Sequence, residues 1–143
     1  MRQLPWTLAL VCLLSTAPAC QRRPVGPSDG PAAQAAGPIR GTISAAAALK
    51  VEPGNVLYVI ARAGNGPPAG VKRIENPVFP LPFALGPEDS IVPGVPFTGP
   101  FTIKARLSRT GEAMPQPGDV EGAFPDPVQP GQNDVNIVLG QVH

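Results

Sequence analysis

Residues 101–108, Phe-Thr-Ile-Lys-Ala-Arg-Leu-Ser, alternate apolar and polar without a slip, and the residues that follow are punctuated by Gly111, Pro115, Pro117 and Gly118. The alternation sends Phe101, Ile103, Ala105 and Leu107 to one face and Thr102, Lys104, Arg106 and Ser108 to the other, the period-2 pattern of a strand with one buried side. The prolines remove backbone donors and the glycines permit positive φ, so neither a strand nor a helix continues past Ser108 and the chain turns sharply. A half-buried strand feeding a rigid corner is a scaffold element, and it contains no catalytic constellation.

The remainder from Ile39 onward reads the same way. Ile39–Ile43 is a short first strand, and Ala45–Lys50 reads as one helical turn before Pro53-Gly54. Residues 55–63 carry Val-Leu-Tyr-Val-Ile-Ala in one run, so both faces are apolar and the strand belongs in the middle of a sheet. Val71–Glu75 is a more polar strand. In Val78–Leu85, Pro80 and Pro82 leave their donor gaps on one lateral side, which suits an edge strand that resists pairing with another chain. A polyproline ligand over residues 77–82 is the sharper alternative, and export removes its usual readers. Residues 86–100 form the longest irregular connection, with Phe97 and Ile91 expected to fold back as a lid on the open end of the core. Val120–Phe124 and Val135–Leu139 complete the set. The count predicts an all-β fold, an antiparallel β-sandwich of six to seven strands over residues 39–143.

Proline (21) and glycine (16) make about a quarter of the chain, a composition that borders on disorder, but an apolar fraction of 43% supplies surface to bury. Removing Arg2 with a leader leaves ten basic residues against ten acidic ones. Such a balance gives no electrostatic footprint for nucleic acid.

The first residues predict that leader. Met1-Arg2-Gln3 is a short positive start, Leu4–Leu14 is apolar but too short to span a bilayer comfortably, and Ser15–Ala19 is small and breaker-containing, so residues 1–19 read as a signal peptide. Ala17-Pro18-Ala19-Cys20 resembles a bacterial lipobox, in which the cysteine receives lipid, with Ala17 where leucine is commonest. Cys12 leaves with the leader, and lipidation of Cys20 explains an otherwise unpaired thiol in an oxidising compartment. Ordinary cleavage after Ala19, releasing a soluble protein, is the alternative. Residues 20–38, rich in Pro, Gly and Ala with Val25 as the one sizeable aliphatic, read as a flexible tether with a reach of roughly a few tens of Å. A membrane anchor through Cys20 places the domain in the cell envelope facing the periplasm. Gln21 lacks the aspartate that retains many inner-membrane lipoproteins, which favours the outer membrane.

Reactive chemistry is scarce. His143, at the C-terminus, is the only histidine, so a catalytic triad, a histidine base or a zinc site has nothing to assemble from, and a copper site lacks its histidines and free thiolate. Met114 between Ala113 and Pro115 reads as a loop or packing residue. Glu112, Asp119 and Glu121 form the one carboxylate cluster; calcium binding there is conceivable, and solvated charges on a turn explain it more simply. No catalytic, cofactor-binding or metal-binding residue is assigned, no cofactor is expected, and the chain is read as a non-enzyme.

Four stretches then carry a family resemblance. Residues 51–63 (Val-Glu-Pro-Gly-Asn-Val-Leu-Tyr-Val-Ile-Ala-Arg-Ala), the Gly66-Pro67-Pro68 turn with Val71-Lys72-Arg73, Leu81–Leu85 followed by Asp89-Ser90 and Pro93-Gly94, and above all residues 105–122 resemble the C-terminal periplasmic domain of the c-type cytochrome biogenesis protein CcmI, also called CycH. The most specific part is Ala105-Arg106-x-Ser108-x-x-Gly111 running into Met114-Pro115-Gln116-Pro117-Gly118-Asp119. The resemblance implies an immunoglobulin-like sandwich that serves as an accessory in cytochrome c maturation. In that family the domain follows membrane helices and a tetratricopeptide-repeat region credited with capturing apocytochrome; neither is found in this sequence, and the resemblance supplies no catalytic or ligand-binding residue. The expected partner is therefore a protein of the cytochrome c maturation or respiratory machinery. Two other readings stay open: a tethered module that binds a small molecule or glycan, which calls for Phe97 and Tyr58 together on an exposed concave surface, and a passive structural component of the envelope.

Overall fold

A computed structural model describes residues 37–142 apart from residue 95. The expected leader, the lipid site Cys20, nearly all of the tether and His143 lie outside the described residues. Eight strands follow one another: β1 Ile39–Ala45, β2 Val56–Ala63, β3 Pro68–Glu75, β4 Leu81–Leu85, β5 Phe101–Ser108, β6 Val120–Ala123, β7 Val135–Leu139 and β8 Gln141–Val142. They form two sheets, a three-stranded one in the order β4-β1-β7 and a five-stranded one in the order β3-β2-β5-β6-β8.

The alternating strand stands at the centre of the larger sheet, paired antiparallel with β2 on one side and β6 on the other. Its Phe101, Ile103, Ala105 and Leu107 are all buried against Leu57, Val59 and Ala61 of β2 and the inner residues of the smaller sheet, Ile39, Ile43, Phe83, Leu85, Val135, Ile137 and Leu139. Among the cross-strand neighbours, Val59–Ala105 and Ala61–Ile103 set a larger residue against alanine while Leu57–Leu107 pairs two leucines, an uneven inner face that the opposite layer packs into. β4 is an edge strand, as Pro80 and Pro82 require, and Pro82 stands opposite Thr42 of β1.

The strand arrangement departs from the sequence reading in three places. First, β1 and β7 pair in parallel, Gly41 with Val135 through Ala45 with Leu139, while every other pairing between strands is antiparallel. Both strands are entered from the same end of the sandwich, β1 from residue 37 and β7 after β6 has carried the chain there, so when they become neighbours they run alike. Second, there are eight strands rather than six or seven. The extra one, β8, arises because the chain bends at Gly140, whose N–H donates to Glu121 O, and passes from the small sheet to the large one. A two-residue strand has no periodicity to read. Third, the single helical turn expected over 45–50 is present, closed by Leu49 N–H on Ala46 O at 2.8 Å, but starts one residue late, because Ala45 ends β1 opposite Leu139 and Ala46 N–H donates to Leu139 O. Strand pairing supplied from residues far along the chain overrides the helix preference of alanine.

Gly122 marks where the two layers come close, since a Cβ there on β6 would lie 2.3 Å from Val138 O of β7. A Cβ on Gly41 would lie 1.9 Å from Val135 O, its pairing partner on β7 within the smaller sheet. The connection 86–100 does fold back over the end of the core where β1 begins. Phe97 packs against Phe101 with ring centroids 4.5 Å apart. Ile91, expected beside it, is instead 51% exposed, because the hydrogen bond from its N–H to Ala69 O fixes the backbone outside β3 and turns the side chain to solvent.

Candidate functional site

The end of the sandwich opposite residue 37 carries two features, a corner that covers part of the outer sheet face and an apolar groove. The corner follows β5. Outward-facing Thr102 and Lys104 are exposed as the alternation predicts, but Arg106 and Ser108, on the same face, are buried, at 3% and 0% exposure. The cause is the corner itself, residues 109–119, which folds down over that half of the face instead of projecting from it.

Its attachments converge on three side chains. The Tyr58 hydroxyl of β2 donates to Gly111 O at 2.8 Å, and the Arg106 guanidinium donates to Ala113 O. Arg106 also lies over the Tyr58 ring, 5.3 Å from its centroid, since Tyr58 and Arg106 are cross-strand partners. The Asp119 carboxylate, 1% exposed, accepts from Arg109 N at 3.3 Å and from Gln116 N at 3.0 Å, which ties the two ends of the loop together. Asp119 Oδ2 faces Arg106 Nε at 3.7 Å, so both members of this ion pair are out of water. Among the described residues Arg106 Nε and Ser108 Oγ find no hydrogen-bond partner. Residues 116–119 close as a β-turn, Asp119 N–H to Gln116 O at 3.1 Å, with Pro117 and positive-φ Gly118 in the two central positions that a type II turn assigns them. Beside the cluster, the Arg73 guanidinium on β3 is held above its ordinary pKa, chiefly by hydrogen bonding to the Tyr58 hydroxyl and then to Glu75.

The groove, about 640 Å³, opens between the β1–β2 and β3–β4 connections and is walled by Leu49, Val51, Pro53, Pro77, Val78 and Phe79. Asn76, at φ 48°, joins its walls: its side chain accepts from Gly54 N at 2.9 Å and its own N–H donates to Asn55 O at 3.0 Å. Val78, 78% exposed, stands on the rim.

These contacts give the sequence candidates definite places. Asp119 is taken up entirely by Arg106 and two backbone donors, Glu112 is exposed, and Glu121 lies half-buried on β6, so the three carboxylates do not converge. No group of three or more His, Cys, Asp or Glu residues with metal-binding placement occurs among the described residues. Phe97 is in the core and Tyr58 lies under the corner, so the exposed aromatic platform that a glycan-binding reading calls for is not formed by this pair. Met114 is at the tip of the corner and 71% exposed. Sequence reasoning missed the buried Arg106–Asp119 pair. Its signal is present in the Arg–Asp complement on either side of a Pro/Gly corner, but periodicity alone assigns Arg106 to solvent.

Two sheets packed face to face around one apolar layer define an immunoglobulin-like β-sandwich domain. Comparison with known proteins gives the family. The model of the cytochrome c-type biogenesis protein H Ig-like domain matches residues 39–139, and the chain belongs to that family. A protein of Aquifex aeolicus (strain VF5), described as "Uncharacterized protein", is 33% identical over 87 residues, covering 61% of this chain and 57% of that relative's length. The match thus spans little more than half of that relative. No solved structure matches significantly. No helix among the described residues is long and apolar enough to cross a membrane.

Proposed function

We propose that the chain is a non-enzymatic accessory protein of c-type cytochrome maturation, whose sandwich docks onto another protein of the maturation or respiratory machinery in the periplasm. The observation that carries this reading is the family match over residues 39–139, which spans every strand but the last two-residue one. In this proposal residues 1–19 are removed on export, Cys20 carries the lipid, residues 20–38 are the tether, and the outer membrane holds the anchor. The polarity of the domain suits it: the chain comes in at the end where β1 begins, and the groove and corner occupy the other end.

Affinity capture of the lipidated protein from native membranes tests the docking. Haem-handling or cytochrome-maturation proteins are expected among the specifically retained chains; recovery without any of them refutes the reading. The anchor is tested separately by Cys20→Ser, which is expected to move the protein from the detergent phase to the aqueous phase on Triton X-114 partition. An unchanged partition would remove the lipid from the account.

A further inference from the structure

We propose that the apolar groove at the far end of the sandwich is the surface through which two copies of this chain pair about a two-fold axis, each seating its Val78 in the groove of the other.

A lone exposed valine on a protein surface is ordinary. Val78 differs in its placing. It is 78% exposed, the most exposed of the large apolar side chains among the described residues, and it stands on the rim of a groove of about 640 Å³ whose walls include Leu49, Val51, Pro77 and Phe79. The loop that carries it is fixed at its root, where Asn76, at φ 48°, accepts from Gly54 N and donates to Asn55 O, and where Pro77 is buried. Val78 therefore stays on the rim of its own groove without filling it, and knob and hole lie side by side in water. Both are set before any partner arrives, so little ordering is left to lose on contact.

That arrangement fits a two-fold contact. In an isologous interface the same patch serves on both sides, so that residue i of one copy meets residue j of the other and j meets i. A knob beside a hole on one patch is self-complementary under that operation: a single rotation buries both Val78 side chains and closes both grooves. An unrelated partner would have to present a matching knob and a matching hole at the same spacing.

The charges on the rim obey the same operation. Glu52 lines the groove and Lys50 lies between the wall residues Leu49 and Val51; both are exposed, and neither has an ion-pair partner among the described residues. They carry opposite signs within one short segment, so in a two-fold pair Lys50 of each copy meets Glu52 of the other. Net charge does not oppose the approach, since the sequence beyond Arg2 carries ten basic residues against ten acidic ones.

The test uses two differently tagged full chains co-expressed in their own membranes, with an aliphatic diazirine amino acid, close to valine in size, at position 78 and, as the control, at exposed position 126 at the opposite end. Irradiation is expected to give an adduct from position 78 that carries both tags and maps by mass spectrometry to residues 49–53 or 76–79 of the second copy, and none from position 126. Co-capture of the two tags is then read without the probe. Lys50→Glu in both copies, or Glu52→Lys in both, sets like charges against each other and is expected to lower co-capture by about tenfold or more. Lys50→Glu in one copy with Glu52→Lys in the other puts opposite charges back in register and is expected to restore co-capture to within about twofold of the parent. Both positions are on the surface, and thermal midpoints within a few degrees of the parent check that the fold is kept. The absence of a two-tag adduct, a position-78 adduct with a different protein instead, or a charge exchange that fails to restore co-capture overturns the proposal. The accessory reading is decided separately, by which other chains are captured.

Discussion

Replacing Asp119 by asparagine isolates the stranded-charge cost in the corner. The carboxylate serves three donors, Arg109 N through Oδ1, Gln116 N through Oδ2, and Arg106 Nε facing Oδ2 at 3.7 Å. An amide offers one acceptor, so in either orientation its NH2 is aimed at a donor, and the Arg106 charge, 3% exposed, stays buried without its counter-ion. Breaking a buried pair by removing one partner costs about 3–5 kcal/mol, against a total stability of about 5–15 kcal/mol for a domain. With a urea dependence near 1.5 kcal/mol per M, the unfolding midpoint of residues 37–143 is expected to fall by about 2–3 M at unchanged slope. Arg106→Met/Asp119→Leu removes both charges and is expected to return the midpoint to within about 1 M of the parent. A fall below about 0.7 M for Asp119→Asn, equivalent to the ~1 kcal/mol of a solvent-screened surface pair, would refute the stranded-charge reasoning. A double variant as unstable as the single one would place the cost in the lost loop hydrogen bonds instead.

Four further outcomes follow from individual contacts. Tyr58→Phe removes the hydrogen bond to Gly111 O and is expected to cost about 1 kcal/mol, read as a urea midpoint, with faster amide exchange across residues 109–113. Ser108→Ala removes a buried hydroxyl that has no partner among the described residues, so stability is expected to hold or rise by up to ~1 kcal/mol; a loss beyond that would show that the hydroxyl is satisfied. Gly122→Ala puts a methyl group 2.3 Å from Val138 O, where only backbone can yield, and is expected to cost about 3 kcal/mol or more by chemical denaturation. Lys72 lies on the inner side of edge strand β3, cross-strand from Val59, and ends on Asp89 at 3.2 Å with a third of its side chain exposed. Lys72→Val is expected to change stability by no more than about 1 kcal/mol yet to promote concentration-dependent association in sedimentation velocity, since an inward-pointing charge guards an edge against pairing.

The pattern of legibility follows from the range of the forces involved. Alternation in residues 101–108, the two-faced apolar run of β2 and the prolines of β4 are local, and each identifies its element because a strand's period and proline's missing donor act within a few residues. The same locality explains the misreadings. Ala45 reads as the start of the helical turn that follows it, until Leu139, almost a hundred positions away, takes it into strand pairing. Ile91 is apolar in a loop and reads as a lid, but its N–H donates to Ala69 O, twenty-two positions earlier, in the arrangement that leaves its side chain outside. The outer face of β5 reads as solvated along its whole length because nothing in an alternating string tells which half a later loop will cover.

From the sequence alone, then, come the all-β class, the inward face of the central strand, the edge position of β4 and the family to which residues 39–139 belong, because each is written in neighbouring residues or in a motif carried intact. Tertiary structure alone decided that β1 and β7 run parallel, that Arg106 and Asp119 meet out of water beneath the corner, and that Met114 is presented outward. Those depend on which ends of distant segments come together, and a buried charge is tolerated only where folding brings its counter-ion within reach.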